Sequence, residues 1–113
     1  MIRNNKITHV FFETNNKYRV IGSNAFSSEG STNISELKWV DYKNTDIRVI
    51  KQLAFNNCKK LQSYELPPHL IDLWGQAFVS CFDKQDDMVI KIGSEIIRMG
   101  SSAIAGIYAG NNA

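Results

Sequence analysis

Four segments of this chain align with one another without a gap, and that repetition limits what it can fold into more than any other feature. They are Tyr18-Arg19-Val20-Ile21-Gly22-Ser23-Asn24-Ala25-Phe26, Ile47-Arg48-Val49-Ile50-Lys51-Gln52-Leu53-Ala54-Phe55, Leu70-Ile71-Asp72-Leu73-Trp74-Gly75-Gln76-Ala77-Phe78 and Ile96-Ile97-Arg98-Met99-Gly100-Ser101-Ser102-Ala103-Ile104. Each has an apolar residue at its first and fourth positions, Ala at the eighth and a large apolar residue at the ninth. Three residues further on stand Glu29, Cys58, Cys81 and Ile107. A unit this small cannot bury its apolar face alone, so neighbouring units must stack to make one continuous core. With 113 residues, 43% hydrophobic and 21% charged, the chain has material for one domain, and it is neither disordered nor a coiled coil.

Between these segments runs a second pattern, apolar-x-x-apolar-x-apolar. It reads Ile7-x-x-Val10-x-Phe12, Ile34-x-x-Leu37-x-Trp39 and Leu61-x-x-Tyr64-x-Leu66, and it degrades to Ile90-x-Ile92 in the last copy, where Asp87, Met88 and Val89 precede. Its closing alternation has the period of a short strand buried on one face. The ninth positions are 29, 23 and 26 residues apart, with the added length in polar stretches around Trp39–Ile47 and Asp83–Asp87, which read as loops. The expected fold is a single repeat domain over residues 1–113, with units at about 7–28, 34–57, 61–80 and 87–108. One strand, a turn and a compact return per unit is the construction of a leucine-rich repeat. It is an α/β-type repeat solenoid with a small parallel sheet on one face and short turns or helical segments on the other. The Ala-Phe segments would pack opposite the sheet, Ala allowing close approach and Phe filling the space between layers.

The stretch Ile50, Ala54-Phe55, Cys58, Leu61, Tyr64, Leu66-Pro67-Pro68, Leu70, Gly75, Ala77-Phe78 and Cys81 resembles the BspA-type leucine-rich repeat. Its signatures are Ile-Gly-x-x-Ala-Phe-x-x-Cys and Leu-x-x-Ile-x-Leu-Pro. The resemblance covers roughly residues 7–108; Lys51 departs from the Gly, Glu29 and Ile107 depart from the Cys, and one copy alone carries Leu-Pro. It implies a repeat protein of a kind often found on bacterial and protist surfaces. The start, Met-Ile-Arg-Asn-Asn-Lys, has no apolar run behind it, so the residues themselves give no secretory signal and the expected location is cytoplasmic.

Catalytic chemistry finds no foothold in the sequence. Of the two histidines, His69 sits in a Pro67-Pro68-His69 turn and His9 falls on a strand face; Ser27-Ser28 and Ser101-Ser102 have no base positioned near them. The Gly-Ser pairs recur at one repeat position and read as turns rather than a phosphate cradle. Cys58 and Cys81 share a position with Ile107, which makes them small buried hydrophobes and not metal ligands. Asp83, Asp86 and Asp87 lack the Gly and Glu of a calcium loop. No enzyme, cofactor or metal is expected. A formal charge of +2, and the absence of ~18 consecutive apolar residues, argue against nucleic acid as a direct ligand and against a membrane span.

A protein partner remains. The residue between the last two buried strand positions should point outward, giving a row of Phe11, Lys38, Glu65 and Lys91, with His9 and Glu36 beside it. Trp74 and Phe82 stand where other units carry Gly, Lys or Tyr; each is either a part-exposed anchor or a ring lying flat over its own unit. The expected role is non-catalytic protein recognition through the sheet face. The alternative is a small inhibitor or accessory subunit, phage or mobile-element encoded, that docks on a larger enzyme or assembly. No cap sequence is evident at either end, so self-association through the ends is also expected.

Overall fold

The computed structural model describes residues 6–13, 17–28, 35–42 and 44–106. Ile34, Glu29, Gly30, Ile107 and Tyr108 lie outside them. Six short strands follow in order: β1 (His9–Phe11), β2 (Val20–Ile21), β3 (Trp39–Asp41), β4 (Val49–Ile50), β5 (Asp72–Leu73) and β6 (Arg98–Met99). They form two parallel sheets, β1-β3 and β2-β4-β5-β6. The first sheet continues through single contacts, Gln62 N–H donating to the Lys38 carbonyl at 2.7 Å and Glu65 pairing with Lys91.

The four-stranded sheet therefore arises from the segments that lead into Ala-Phe, and the expected strands around Ile7, Leu37, Leu61 and Ile90 make the smaller one. Sheets lie on both sides of the core. Val20, Val49, Asp72 and Arg98 line up along the outer row, and Ile21, Ile50, Leu73 and Met99 along the inner row. Ile50 and Leu73 are fully buried.

No helix occurs among the described residues; the expected turns are present and the helical segments are not. The backbone explains why. Each unit makes two successive turns. The eighth-position amide donates to the fifth-position carbonyl (Ala25 to Gly22, Ala54 to Lys51, Ala77 to Trp74, Ala103 to Gly100; 3.2–3.3 Å). The tenth then donates to the seventh. The seventh residue is left-handed in all four units: Asn24, Leu53, Gln76 and Ser102, with φ of 60°, 59°, 61° and 57°. A left-handed third residue is what a type II turn requires, and a helix cannot pass through it.

These turns stack directly. Phe26 donates its amide to the Ala54 carbonyl, Phe55 to Ala77 and Phe78 to Ala103, at 2.7–2.8 Å. Ala is small there because the next backbone lies against it; Ala54 and Ala77 are fully buried. The rings form a column: Phe26–Phe55 at 5.0 Å, Phe55–Phe78 at 4.7 Å and Phe78–Phe82 at 5.2 Å between centroids. Cys58 and Cys81 are buried free thiols whose Sγ–H groups donate to the Phe26 and Phe55 carbonyls, at 3.1 and 2.5 Å. Burial raises the Cys81 thiol well above its ordinary range.

Tyr42 departs from good pairing in the core. Its ring is buried, its hydroxyl has no hydrogen-bond partner among the described residues, and burial pushes its pKa far upward. An unpaired buried hydroxyl costs stability, whereas the ring alone does not. Tyr42→Phe is therefore expected to stabilise the protein by about 1 kcal/mol in urea denaturation. A loss of that size would mean the hydroxyl is satisfied in solution.

Candidate functional site

The outer face of the first sheet carries large side chains that the core does not use. In the β1–β3 register His9 stands beside Trp39, Val10 beside Val40 and Phe11 beside Asp41. Val10 and Val40 turn inward, so their neighbours face solvent: Phe11 is 69% exposed and Trp39 45%. The His9 ring stacks on Phe11 at 6.4 Å and 13°. Next come Glu65 and Lys91, paired in register and joined by an exposed ion pair at 3.5 Å. Between these runs an open groove of about 490 Å³ lined by Trp39, Asp41, Tyr64, Glu65, Val89 and Lys91. Tyr64 is held in place by its hydroxyl, which donates to the Asp83 carbonyl at 2.6 Å.

Not every expected row member stands where the sequence put it. Lys38 is exposed, yet Phe11 lies beside Asp41 and not beside Lys38. The second strand sits three residues later than the Ile34–Leu37–Trp39 template, using Leu37-x-x-Val40-x-Tyr42, so Trp39 is a surface residue. Leu37, Val40 and Tyr42 are all buried. Ser63, at the repeat position of His9 and Glu36, is 4% exposed: its hydroxyl accepts the Val40 N–H at 3.2 Å, and the regular ladder stops there. Glu36 is tied to Lys60 at 2.7 Å.

The two aromatic outliers separate. Phe82 is fully buried, because a left-handed backbone (φ 65°) turns its ring onto Phe78 and toward Tyr64, so it cannot serve as a surface anchor. Trp74 is 40% exposed beside the second sheet, with Lys51 Nζ 5.2 Å above its ring and its Nε1 donating to Asp72 Oδ2 at 3.2 Å. It is not among the residues that line the groove.

A separate charge cluster lies at the surface. Asp46 receives Arg48 at 3.0 Å and Arg19 at 3.2 Å, and the hydrogen bond from Arg48 holds its carboxyl below the usual range. Among the described residues no group of three or more His, Cys, Asp or Glu could hold a metal, and no helix is long and apolar enough to cross a membrane. What this face offers is contact area: two exposed aromatic rings, a valine and one ion pair around a shallow groove.

No curated protein and no solved structure matches this chain. A family profile described as BspA type Leucine rich repeat region (6 copies) matches residues 3–108. That description counts six copies where four units are traced above. The match takes in both sheets, the stacked turns and the whole phenylalanine column, and the chain belongs to the BspA-type leucine-rich repeat family.

Proposed function

We propose that the protein is a non-catalytic recognition module that binds another protein through the outer face of its first sheet, presented by a short solenoid. The observation that carries this is the pair Phe11 and Trp39, at 69% and 45% exposure, on neighbouring strands with no role in the core. Leucine-rich repeats serve widely in protein interaction and are generally non-catalytic, which supports the same reading. Aromatic anchors beside a groove, rimmed by charge, are the usual make-up of an interface centre. Glu65 and Lys91 would set orientation and encounter rate more than affinity.

The test is capture of the partner from the source cell with the full chain, followed by titration with single variants. Trp39→Ala and Phe11→Ala are each expected to weaken binding by about 2 kcal/mol, roughly thirtyfold, while leaving the unfolding midpoint unchanged. Trp74→Ala, on the other sheet, should leave affinity within about twofold. If Trp74→Ala abolishes binding and the other two do nothing, the second sheet is the working surface.

A further inference from the structure

The two ends of the stack differ in a way that fits them to each other. We propose that copies of this chain associate head to tail, β6 of one pairing with β2 of the next, so that the units continue across the junction.

Hydrogen-bond polarity supplies the first support. At the two ends of each strand pair in the second sheet, the later unit donates and the earlier accepts: Arg48 N–H to Arg19, Ile71 to Arg48, Ile97 to Ile71, Lys51 to Ile21, Trp74 to Ile50 and Gly100 to Leu73, at 2.7–2.9 Å. In the turns the direction reverses, Phe26 donating to Ala54, Phe55 to Ala77 and Phe78 to Ala103. The sheet order leaves β2 and β6 as its edges. The last unit thus presents the carbonyls of Ile97 and Met99 and the amide of Ile104. The first presents the amides of Arg19 and Gly22 and the carbonyl of Ala25. Donors meet acceptors when unlike ends join in the register of the stack.

Side chains give the second support. Ile97 is 83% exposed and Met99 46%, although the inner-row residues Ile50 and Leu73, each covered by a following unit, are fully buried. At the other end Val20 is 46% exposed, and a Cβ built on Gly22 meets nothing within 4 Å. Another unit laid on β6 covers Met99 as the internal units cover Leu73. Charge agrees: Lys17 and Glu95 hold the same place in their units, one residue before the aligned segment, and inside the chain the residues at that place in units three and four, His69 and Glu95, already pair at 2.6 Å.

A junction between unlike ends does not close on itself, so it grows beyond a dimer. Sedimentation equilibrium of the full chain, from low micromolar to about 1 mM, should give an average mass that passes twice the 12.8 kDa protomer. Two variants divide the ends. Ile97→Arg sets an arginine against Arg19 of the following copy, and Val20→Arg sets one against Arg98 of the preceding copy. Each alone should associate at least tenfold more weakly than the natural chain, with an unchanged circular dichroism spectrum. Mixed in equal amounts, they should form a dimer and stop, because each keeps the end that the other lacks. A natural chain that stays monomeric throughout, a single variant that associates like the natural chain, or a mixture that stays monomeric overturns the proposal. If either variant unfolds, the natural chain's concentration series alone decides between growth past the dimer and its absence.

Discussion

Phe55→Ala is expected to destabilise the protein by about 4–5 kcal/mol, the upper end of the range for deleting a buried phenylalanine. The ring is fully buried and stacked on both faces, on Phe26 at 5.0 Å and 9° and on Phe78 at 4.7 Å and 4°. Its removal loses two stacking contacts, each worth about 0.5–1.5 kcal/mol beyond area burial. The site has little freedom to collapse, because the Phe55 and Phe26 amides are bonded to Ala77 and Ala54 and hold the layer spacing. Phe78→Ala, between Phe55 and Phe82, should cost nearly as much. Phe26 ends the column and is only part-buried, so Phe26→Ala should cost about half. A domain of this size holds about 5–15 kcal/mol in all, so the Phe55 variant would be near the edge of folding. Urea denaturation showing less than about 1 kcal/mol for both Phe55→Ala and Phe78→Ala would mean the column is not the core.

The column was legible in the sequence because it repeats. Ala-Phe at a constant position, with Cys58 and Cys81 three residues on, required a packed interior, and the structure buries Ala54-Phe55, Ala77-Phe78 and both cysteines while leaving Ala25-Phe26 part-buried. The turns were legible too where the chain carries Gly22-Ser23-Asn24 and Gly100-Ser101-Ser102, residue types that favour turns. Leu53 at the same place was not, and only its alignment with the other three places it in a left-handed turn. The strand register was harder. Ile34-x-x-Leu37-x-Trp39 and Leu37-x-x-Val40-x-Tyr42 satisfy one template equally, and choosing the first put Trp39 in the core. Spacing could have decided between them. From the last strand position to the ninth position the later register gives 14, 13, 12 and 12 residues (Phe12–Phe26, Tyr42–Phe55, Leu66–Phe78, Ile92–Ile104), whereas Trp39–Phe55 is 16.

The site suffered from that same ambiguity. Because Trp39 counted as core, the outward row was read as Phe11, Lys38, Glu65 and Lys91 without it, although Trp39 is 45% exposed on the strand beside β1. Phe82 failed for a different reason: nothing in sequence marks a left-handed phenylalanine, and the residues at equivalent positions suggested water. Ser63 accepts a backbone amide in place of a carbonyl, a substitution that alternation of apolar residues has no means to signal. Local pattern specifies which units stack; it says less about which single side chain closes an irregularity in the stack.

Gly100→Ala should be among the most disruptive small changes the chain can suffer, and Gly22→Ala, at the same repeat position, among the mildest. A Cβ on Gly100 would lie 2.3 Å from the Gly75 nitrogen, 2.8 Å from its Cα and 2.9 Å from the Trp74 carbonyl carbon. All are backbone atoms, fixed by the bonds from Trp74 to Ile50 and from Gly100 to Leu73 at 2.9 and 2.7 Å. Gly75 faces the same crowding, its Cβ falling 2.9 Å from the Ser101 carbonyl oxygen. Overpacking costs about 1–3 kcal/mol where neighbours can shift, so about 3 kcal/mol or more is expected where they cannot. An array of stacked units has a second way to respond, which is to release the end unit and keep the rest. Hydrogen exchange distinguishes the two. Release of unit four would strip protection from the amides of Phe78 and Ser80, which are bonded to Ala103 and Ala105, and spare those of Phe55 and Asn57, bonded to Ala77 and Val79. Gly22 has an ordinary backbone and open space, so Gly22→Ala should stay within about 0.5 kcal/mol of the natural chain. If Gly100→Ala is equally silent in both denaturation and exchange, units three and four do not approach as closely as the Gly75–Gly100 contact requires.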